Sequence, residues 1–320
     1  MLSLMICGLS AAPLCAAVPD WVRLDDLAAH YKLAAPAVEQ DGRVVLRNTY
    51  QTMAFEPGAR RVFSDGWALY LNSELVRRNS NWWMDRHDMT TIVAPLLDSN
   101  AALNGLGAGL VVLDPGHGGA DPGARGSSGL EEKALTLDVA RRTGLRLQAC
   151  GVKVRLTRDR DRDVGLDTRC EMALRASADL FVSIHFNAAT DRHTQGIETF
   201  IVPAAGALST CEKRQLTRQR ERAAALGNQN DAANTVLGYW VHRGLLSYVH
   251  SEDRGVRRAR YLVLRNTGCP ATLVEAGFIS NPEESRRLQN EDYRQSLANG
   301  VASGIMTYLS RVREANHGGV

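Results

Sequence analysis

From residue 109 to residue 309, short apolar runs alternate with longer stretches of helical periodicity. This alternation constrains the fold more than any other feature of the chain. Residues 110–113 (LVVL) read as a buried apolar strand. A helix is expected over 130–148, with Leu130, Ala134, Leu137, Ala140, Gly144 and Leu147 on one face at helical spacing. Further strands are expected at 152–156, 180–184, 197–202, 261–264 and 271–274, with helices at 166–176, 232–249 and 292–309. Such a succession calls for an α/β architecture. A mostly parallel, twisted sheet would carry helices on both faces.

Residues 18–97 read differently. A short amphipathic helix is expected at 24–31 and strands at 43–47, 53–55 and 68–71, separated by Pro57-Gly58 and Asp65-Gly66 turns. Trp21, Trp67, Trp82 and Trp83 all fall here, and no metal-like or nucleophilic cluster stands out. The expectation is a small α+β domain ahead of the sheet domain. The run 98–108 is small and polar, with little to bury, and is expected to be a linker. The sheet domain then occupies 109–312 and a tail 313–320.

Residues 1–18 carry no charged side chain, and the run ends in Cys15-Ala16-Ala17. This predicts an export signal over 1–17 with cleavage after Ala17, although Lys or Arg is missing at its front. The chain has 6 cysteines, and Cys7 and Cys15 lie in that segment. Ile6 and Leu14 precede them, which argues against lipid attachment. Cys150, Cys170, Cys211 and Cys269 form no C-x-x-C pair. Free buried thiols and disulfides both remain open for them, and no bridge is assigned. With 38 Lys and Arg against 35 Asp and Glu, the net charge of +3 is too balanced for a dedicated nucleic-acid binder. Beyond the N-terminus no run approaches the roughly 18 uncharged residues of a spanning helix.

Four polar residues stand where an open α/β sheet gathers its ligands, outside the carboxyl ends of the strands. His117 follows the first strand in a Gly-rich turn (DPGHGG), His185 follows the strand 180–184, and Glu275 follows the strand 271–274. Glu132 opens the helix after the Gly-rich turn. Each has an ordinary structural explanation alone: a phosphate loop, a core histidine, a first-turn carboxylate, an ion-pair partner. The loop lacks both phosphate-binding signatures, and the joint placement points to a metal site. Two His and one carboxylate are a ligand set for catalytic zinc, which keeps one position for water. A spare carboxylate can take that water's proton and pass it to a leaving amine. Glu275, set in the apolar stretch VEAG, suits that part.

The motifs DPGHGGADPGARG (114–126), GLEEK (129–133), ADLFVSIHFN (178–187), DRGV (253–256), Leu264-Arg265 and LVEAGFISN (273–281) occur in this order. Together they resemble the zinc-dependent N-acetylmuramoyl-L-alanine amidases of the amidase 3 class. The resemblance covers essentially all of 109–309. It implies hydrolysis of the amide between N-acetylmuramic acid and the L-alanine of the peptidoglycan stem peptide. It also implies Zn2+ bound by His117, Glu132 and His185, with Glu275 as catalytic acid/base. Glu132 rather than Glu131 matches the family's ligand because it directly precedes Lys133. Asp253 and Leu174 depart from the family, which often has Asn at both places.

The part ahead of the sheet domain resembles, in pattern only, the small α+β repeat domain named after the copper amine oxidase N-terminus. A spacer and a wall-binding module both fit it. The charged stretch 210–222 is expected to be a solvated loop or helix, with a flap beside the cleft as the functional alternative. The expected partner is peptidoglycan, with no nucleic acid and no transmembrane span after processing. The expected place is the periplasm or cell envelope, and the expected state a monomer. Two other function classes compete: a non-catalytic wall-binding or activator protein, and a zinc exopeptidase on a similar scaffold.

Overall fold

The computed structural model describes residues 21–126, 129–210 and 223–318. The expected export segment 1–17, Cys211 and the charged stretch from 211 to 222 lie outside the described residues. Among the described residues, no helix is long and apolar enough to cross a membrane.

The first part holds β1 (Trp21–Arg23), α1 (Leu24–His30), β2 (Ala37–Val38), β3 (Val44–Arg47), β4 (Thr52–Glu56), β5 (Arg61–Ser64), β6 (Trp67–Tyr70), β7 (Val76–Arg78) and β8 (Asn81–Asp85). A helical run follows as α2 (Arg86–Asp88), a π-helical turn (Met89–Val93), α3 (Ala94–Leu97) and α4 (Ser99–Leu103). The second part holds β9 (Leu110–Pro115), α5 (Glu132–Ala149), β10 (Lys153–Leu156), α6 (Leu166–Arg175), β11 (Leu180–Asn187) and β12 (Ile197–Ile201). It continues with α7 (Asp231–Tyr248), β13 (Asp253–Arg258), α8 (Leu262–Arg265), β14 (Ala271–Phe278), α9 (Pro282–Gln289) and α10 (Glu291–His317).

One eleven-stranded sheet runs β10-β9-β11-β14-β12-β13-β6-β5-β4-β3-β2. Strands β10, β9, β11 and β14 are mutually parallel, and β12 runs antiparallel to β14 and parallel to β13. The strands β2 to β6 form an antiparallel meander that joins this sheet where Val256 meets Leu69. The two parts therefore share one sheet. A separate sheet, β1-β8-β7, closes the first part.

Alternation along the parallel strands explains the two-sided cover. Val111 and Leu113 on β9 pack with Val139 of α5, Val241 of α7 and Ile305 of α10. Val112, between them, packs on the opposite face with Ala173 of α6 and Leu264 of α8. Helices α7 and α10 approach so closely that a Cβ on Gly304 would lie 2.4 Å from the Trp240 carbonyl oxygen. The N-cap Asn290 starts α10 by accepting from the backbone N–H of Asp292 and Tyr293.

Several expectations give way. The run 98–108 contains α4, and Leu103 is fully buried against the core. One apolar side chain at the right place outweighs the polar composition around it. The tail begins too early at 313, because α10 runs to His317 and buries Val312 and Ala315. Residues 262–264 fall in the helical turn α8, with Tyr261 at its N-cap, rather than in a strand, while the more polar run Asp253–Arg258 just before them supplies the strand β13. Helix α5 turns a different face inward. Ala134 is exposed, and Leu135, Thr136, Val139 and Thr143 join Ala140, Gly144 and Leu147 inside. Two threonines had hidden the true stripe by replacing apolar residues in it.

Candidate metal centre

The turn after β9 is held in an unusual shape. His117 has φ +59°, a left-handed conformation that costs a non-glycine residue energy. Gly118 and Gly119 follow with positive φ, and they spare the chain the same cost twice more. Gly116 is required for a different reason. A Cβ there would sit 2.2 Å from Cε1 of His185.

Two buried arginines fasten this turn. Arg158 donates from Nε to the Pro115 carbonyl (3.0 Å) and from Nη2 to the Gly116 carbonyl (2.7 Å) and Thr136 Oγ1 (2.9 Å). Arg169 donates from Nη1 to the Pro115 carbonyl (2.6 Å) and from Nη2 to the His117 carbonyl (2.7 Å). Arg169 also pairs with Asp114 at 2.7 Å, and Thr157 and Ser183 donate to the same carboxylate. The backbone carrying His117 is thus clamped by charged hydrogen bonds from buried side chains.

The imidazoles and the carboxylate meet. Oε1 of Glu132 lies 3.1 Å from His117 Nε2 and 2.9 Å from His185 Nδ1. One ligand atom from each of His117, Glu132 and His185 lies within 4.8 Å of the others. Glu132 is only 4% exposed, and its second oxygen accepts from the Ala124 N–H at 2.8 Å. Burial works against its ionisation, but the hydrogen bonds from His117 and His185 outweigh it and hold its pKa well below the carboxylate range. Burial likewise opposes protonation of His117, yet Glu132 and Asp121 beside it raise its pKa. Asp121 sits 2.7 Å from His117 Nδ1, the position that fixes a ligating imidazole from behind.

Glu275 stands beside this cluster without joining it. Among the described residues, its buried Oε2 has no hydrogen-bond partner. Burial, with the negative charges of Glu132 and Glu198 nearby, pushes its pKa well above the usual carboxylate value. Glu198 is its register partner on β12 and is itself held by Arg254 at 2.8 Å. His117, Asp121, Glu132, His185 and Glu275 open on one cleft of about 500 Å³, walled on its apolar side by Val164, Leu166, Tyr261 and Leu273.

The structure therefore brings His117, Glu132, His185 and Glu275 to one cleft. Asp253 and Leu174, the departures from the family, do not line it. Asp253 instead binds the buried His242 at 2.8 Å and accepts from the Ala68 N–H of β6, tying the two parts together. Sequence reasoning did not single out Asp121, Arg158 or Arg169. Asp121 lies four residues beyond His117, a spacing that was available. The arginines carry no comparable signal, because only the fold turns a charged side chain inward.

The sequence profile of the family described as N-acetylmuramoyl-L-alanine amidase matches residues 111–307. The chain is 35% identical over 220 residues to N-acetylmuramoyl-L-alanine amidase AmiC of Neisseria meningitidis, covering 63% of this chain and 53% of that protein. It is 33% identical over 222 residues to AmiA of Escherichia coli, covering 63% and 77%. The chain thus spans about half the length of the Neisseria relative. Among solved structures, the amidase AmiC2 of Nostoc punctiforme superposes with a TM-score of 0.53 at 34% identity, over 64% of this chain and 99% of that one. The profile match spans more than half of the chain, and the chain belongs to the N-acetylmuramoyl-L-alanine amidase family.

Proposed function

We propose that this protein hydrolyses the amide between the lactyl group of N-acetylmuramic acid and the L-alanine of the stem peptide in peptidoglycan. The observation that carries this reading is the meeting of His117, Glu132 and His185 beside the unpartnered carboxyl of Glu275 in an open cleft. The donor set suits zinc, with His117, Glu132 and His185 holding it. When bound there, zinc would supply an activated water and polarise the scissile carbonyl.

The rest of the chemistry falls to the chain. Glu275 takes a proton from the attacking water at its carboxylate and delivers it to the departing alanine nitrogen. Its apolar setting keeps its proton affinity high enough for both halves of that transfer. Asp121 orients the His117 ring, and Arg158 and Arg169 hold the backbone beneath it. Tyr261 and Leu166 offer an apolar wall to the substrate.

The uncharged N-terminal run supports export and action in the periplasm, with residues 18–97 as a unit ahead of a catalytic unit that runs from 109 to the end of α10 at His317. The test is release of stem peptides from purified sacculi. Release should stop on chelation and return with added zinc. Release that survives thorough chelation would overturn the metal reading.

A further inference from the structure

A second cleft, sharing no lining residue with the first, opens where the N-terminal part meets helices α7 and α10. Its volume is about 470 Å³, within the roughly 300–1,000 Å³ of ligand sites. Tyr50, Gln51 and Asp65 line it from the first part, and Trp240, Arg243 and Arg311 from the second. Arg311 also lines a neighbouring groove of about 480 Å³ together with Tyr248 and Arg146. Arg311 thus borders both hollows, which lie side by side as a track past α7 and α10.

The chemistry of this track is specific. The guanidinium carbons of Arg243 and Arg311 lie 5.0 Å and 5.7 Å from the Trp240 ring centroid. Stacking uses the face of a guanidinium and leaves its in-plane N–H donors for a planar acceptor such as a carboxylate. Asp65 approaches Arg243 no closer than 3.9 Å, and Glu314 meets Arg311 at 3.3 Å on exposed surface. Neither pair consumes five donors. Tyr50, 88% exposed, and Tyr248, 47% exposed, flank the track. The side chain of Asn48 accepts from the N–H groups of Tyr50 (2.8 Å) and Gln51 (2.9 Å), which fixes the turn that presents the Tyr50 ring. These two exposed rings offer flat apolar faces to the C–H faces of sugars. Asp65 and Glu314 would repel a densely charged polymer such as a nucleic acid, but tolerate one with widely spaced carboxylates.

The proposed reaction makes such a polymer. Water cleaves the C–N bond, the amine leaves with the stem peptide, and the lactyl carbonyl becomes a free carboxylate on the glycan strand. We propose that the track between the N-terminal part and helices α7 and α10 binds the glycan strand stripped of its stem peptides, through its lactyl carboxylates and sugar faces. The inference rests on the amidase reading only for the source of those carboxylates.

The test uses the full chain carrying Glu275→Gln and fluorescently labelled glycan strands stripped of peptide by an unrelated amidase. The same strands with carboxylates capped as methylamides serve as comparison. Stripped strands should bind at least about tenfold more tightly than capped ones, since hydrogen bonds to charged groups are the stronger kind. Tyr50→Ala and the double variant Arg243→Ala/Arg311→Ala should each lose about tenfold or more. Equal binding of the two strands, or unchanged binding by both variants, would overturn the proposal. Tyr50→Ala decides the matter if the double variant melts early, because its ring contributes little to the core. Stem-peptide release from sacculi by the wild-type chain reports separately on the reaction. Release without carboxylate-dependent binding removes the track alone, and carboxylate-dependent binding without release removes the reaction alone.

Discussion

His185 on β11 and Glu275 on β14 are register partners on adjacent parallel strands. Partners in register present their side chains on the same face of a sheet. The backbone pairing itself therefore sets the unpartnered carboxyl beside the imidazole, without any loop to adjust. Glu275 is in turn paired across β14 and β12 with Glu198.

Glu275→Gln keeps the shape of this side chain and removes its capacity to carry a proton. The rate of stem-peptide release should fall by roughly 10²–10⁴-fold, with metal content unchanged by atomic absorption. A fully active variant would take Glu275 out of the mechanism.

The same substitution should alter stability in the metal-free protein. The pKa of Glu275 is raised by burial and by the neighbouring carboxylates, so the folded state holds its proton where the unfolded state releases it. Stability contributed by this group is present at low pH and is lost as pH rises above the ordinary carboxylate value. Metal-free Glu275→Gln should therefore melt higher than metal-free wild type at neutral pH, with the gap closing near pH ~4. A gap that widens toward acid would contradict the assigned direction.

Which of these relationships were legible in the chain can be said residue by residue. The alternation of apolar runs and helical periods set the parallel sheet, and strand ends then placed His117, His185 and Glu275 at one edge. Tyr261 to Leu264 misled, because a short apolar run reads alike as strand and as helical turn. Leu103 misled because a single buried side chain is invisible in a polar segment. Arg158 and Arg169 were unreadable for a more general reason. Charged side chains are normally solvated, and their burial depends on carbonyls that only the folded turn exposes to them.

Gly116 and Gly129 separate close approach from backbone strain. Gly116→Ala drives a methyl into the His185 ring, with Cε1 at 2.2 Å and Nε2 at 2.4 Å. It should lower metal affinity sharply in a competition titration with a chelating dye. Gly129 has φ +75° and nothing within 4 Å of an added Cβ. Gly129→Ala should cost about 1–2 kcal/mol in urea unfolding and leave metal affinity as it was. Equal metal affinity in the two variants would show that His185 does not depend on the space at Gly116.

Asp114 and Arg169 form a pair with side chains 1% and 3% exposed. Asp114→Ala leaves the guanidinium buried and uncompensated, so unfolding free energy should drop by about 3–5 kcal/mol. Loss of metal affinity should accompany it, since Arg169 also holds the Pro115 and His117 carbonyls. A loss below about 1 kcal/mol, the range of exposed pairs, would mean that the pair does not stiffen the turn.

The most direct measurement is mass spectrometry of the soluble products of purified sacculi treated with the zinc-loaded chain. The account predicts intact stem peptides beginning with a free L-alanine amine, together with glycan strands whose muramic acids end in lactyl carboxylates. Stem peptides that stay on the glycan and shorten by a terminal residue would contradict it, and would make the protein an exopeptidase built on the same sheet.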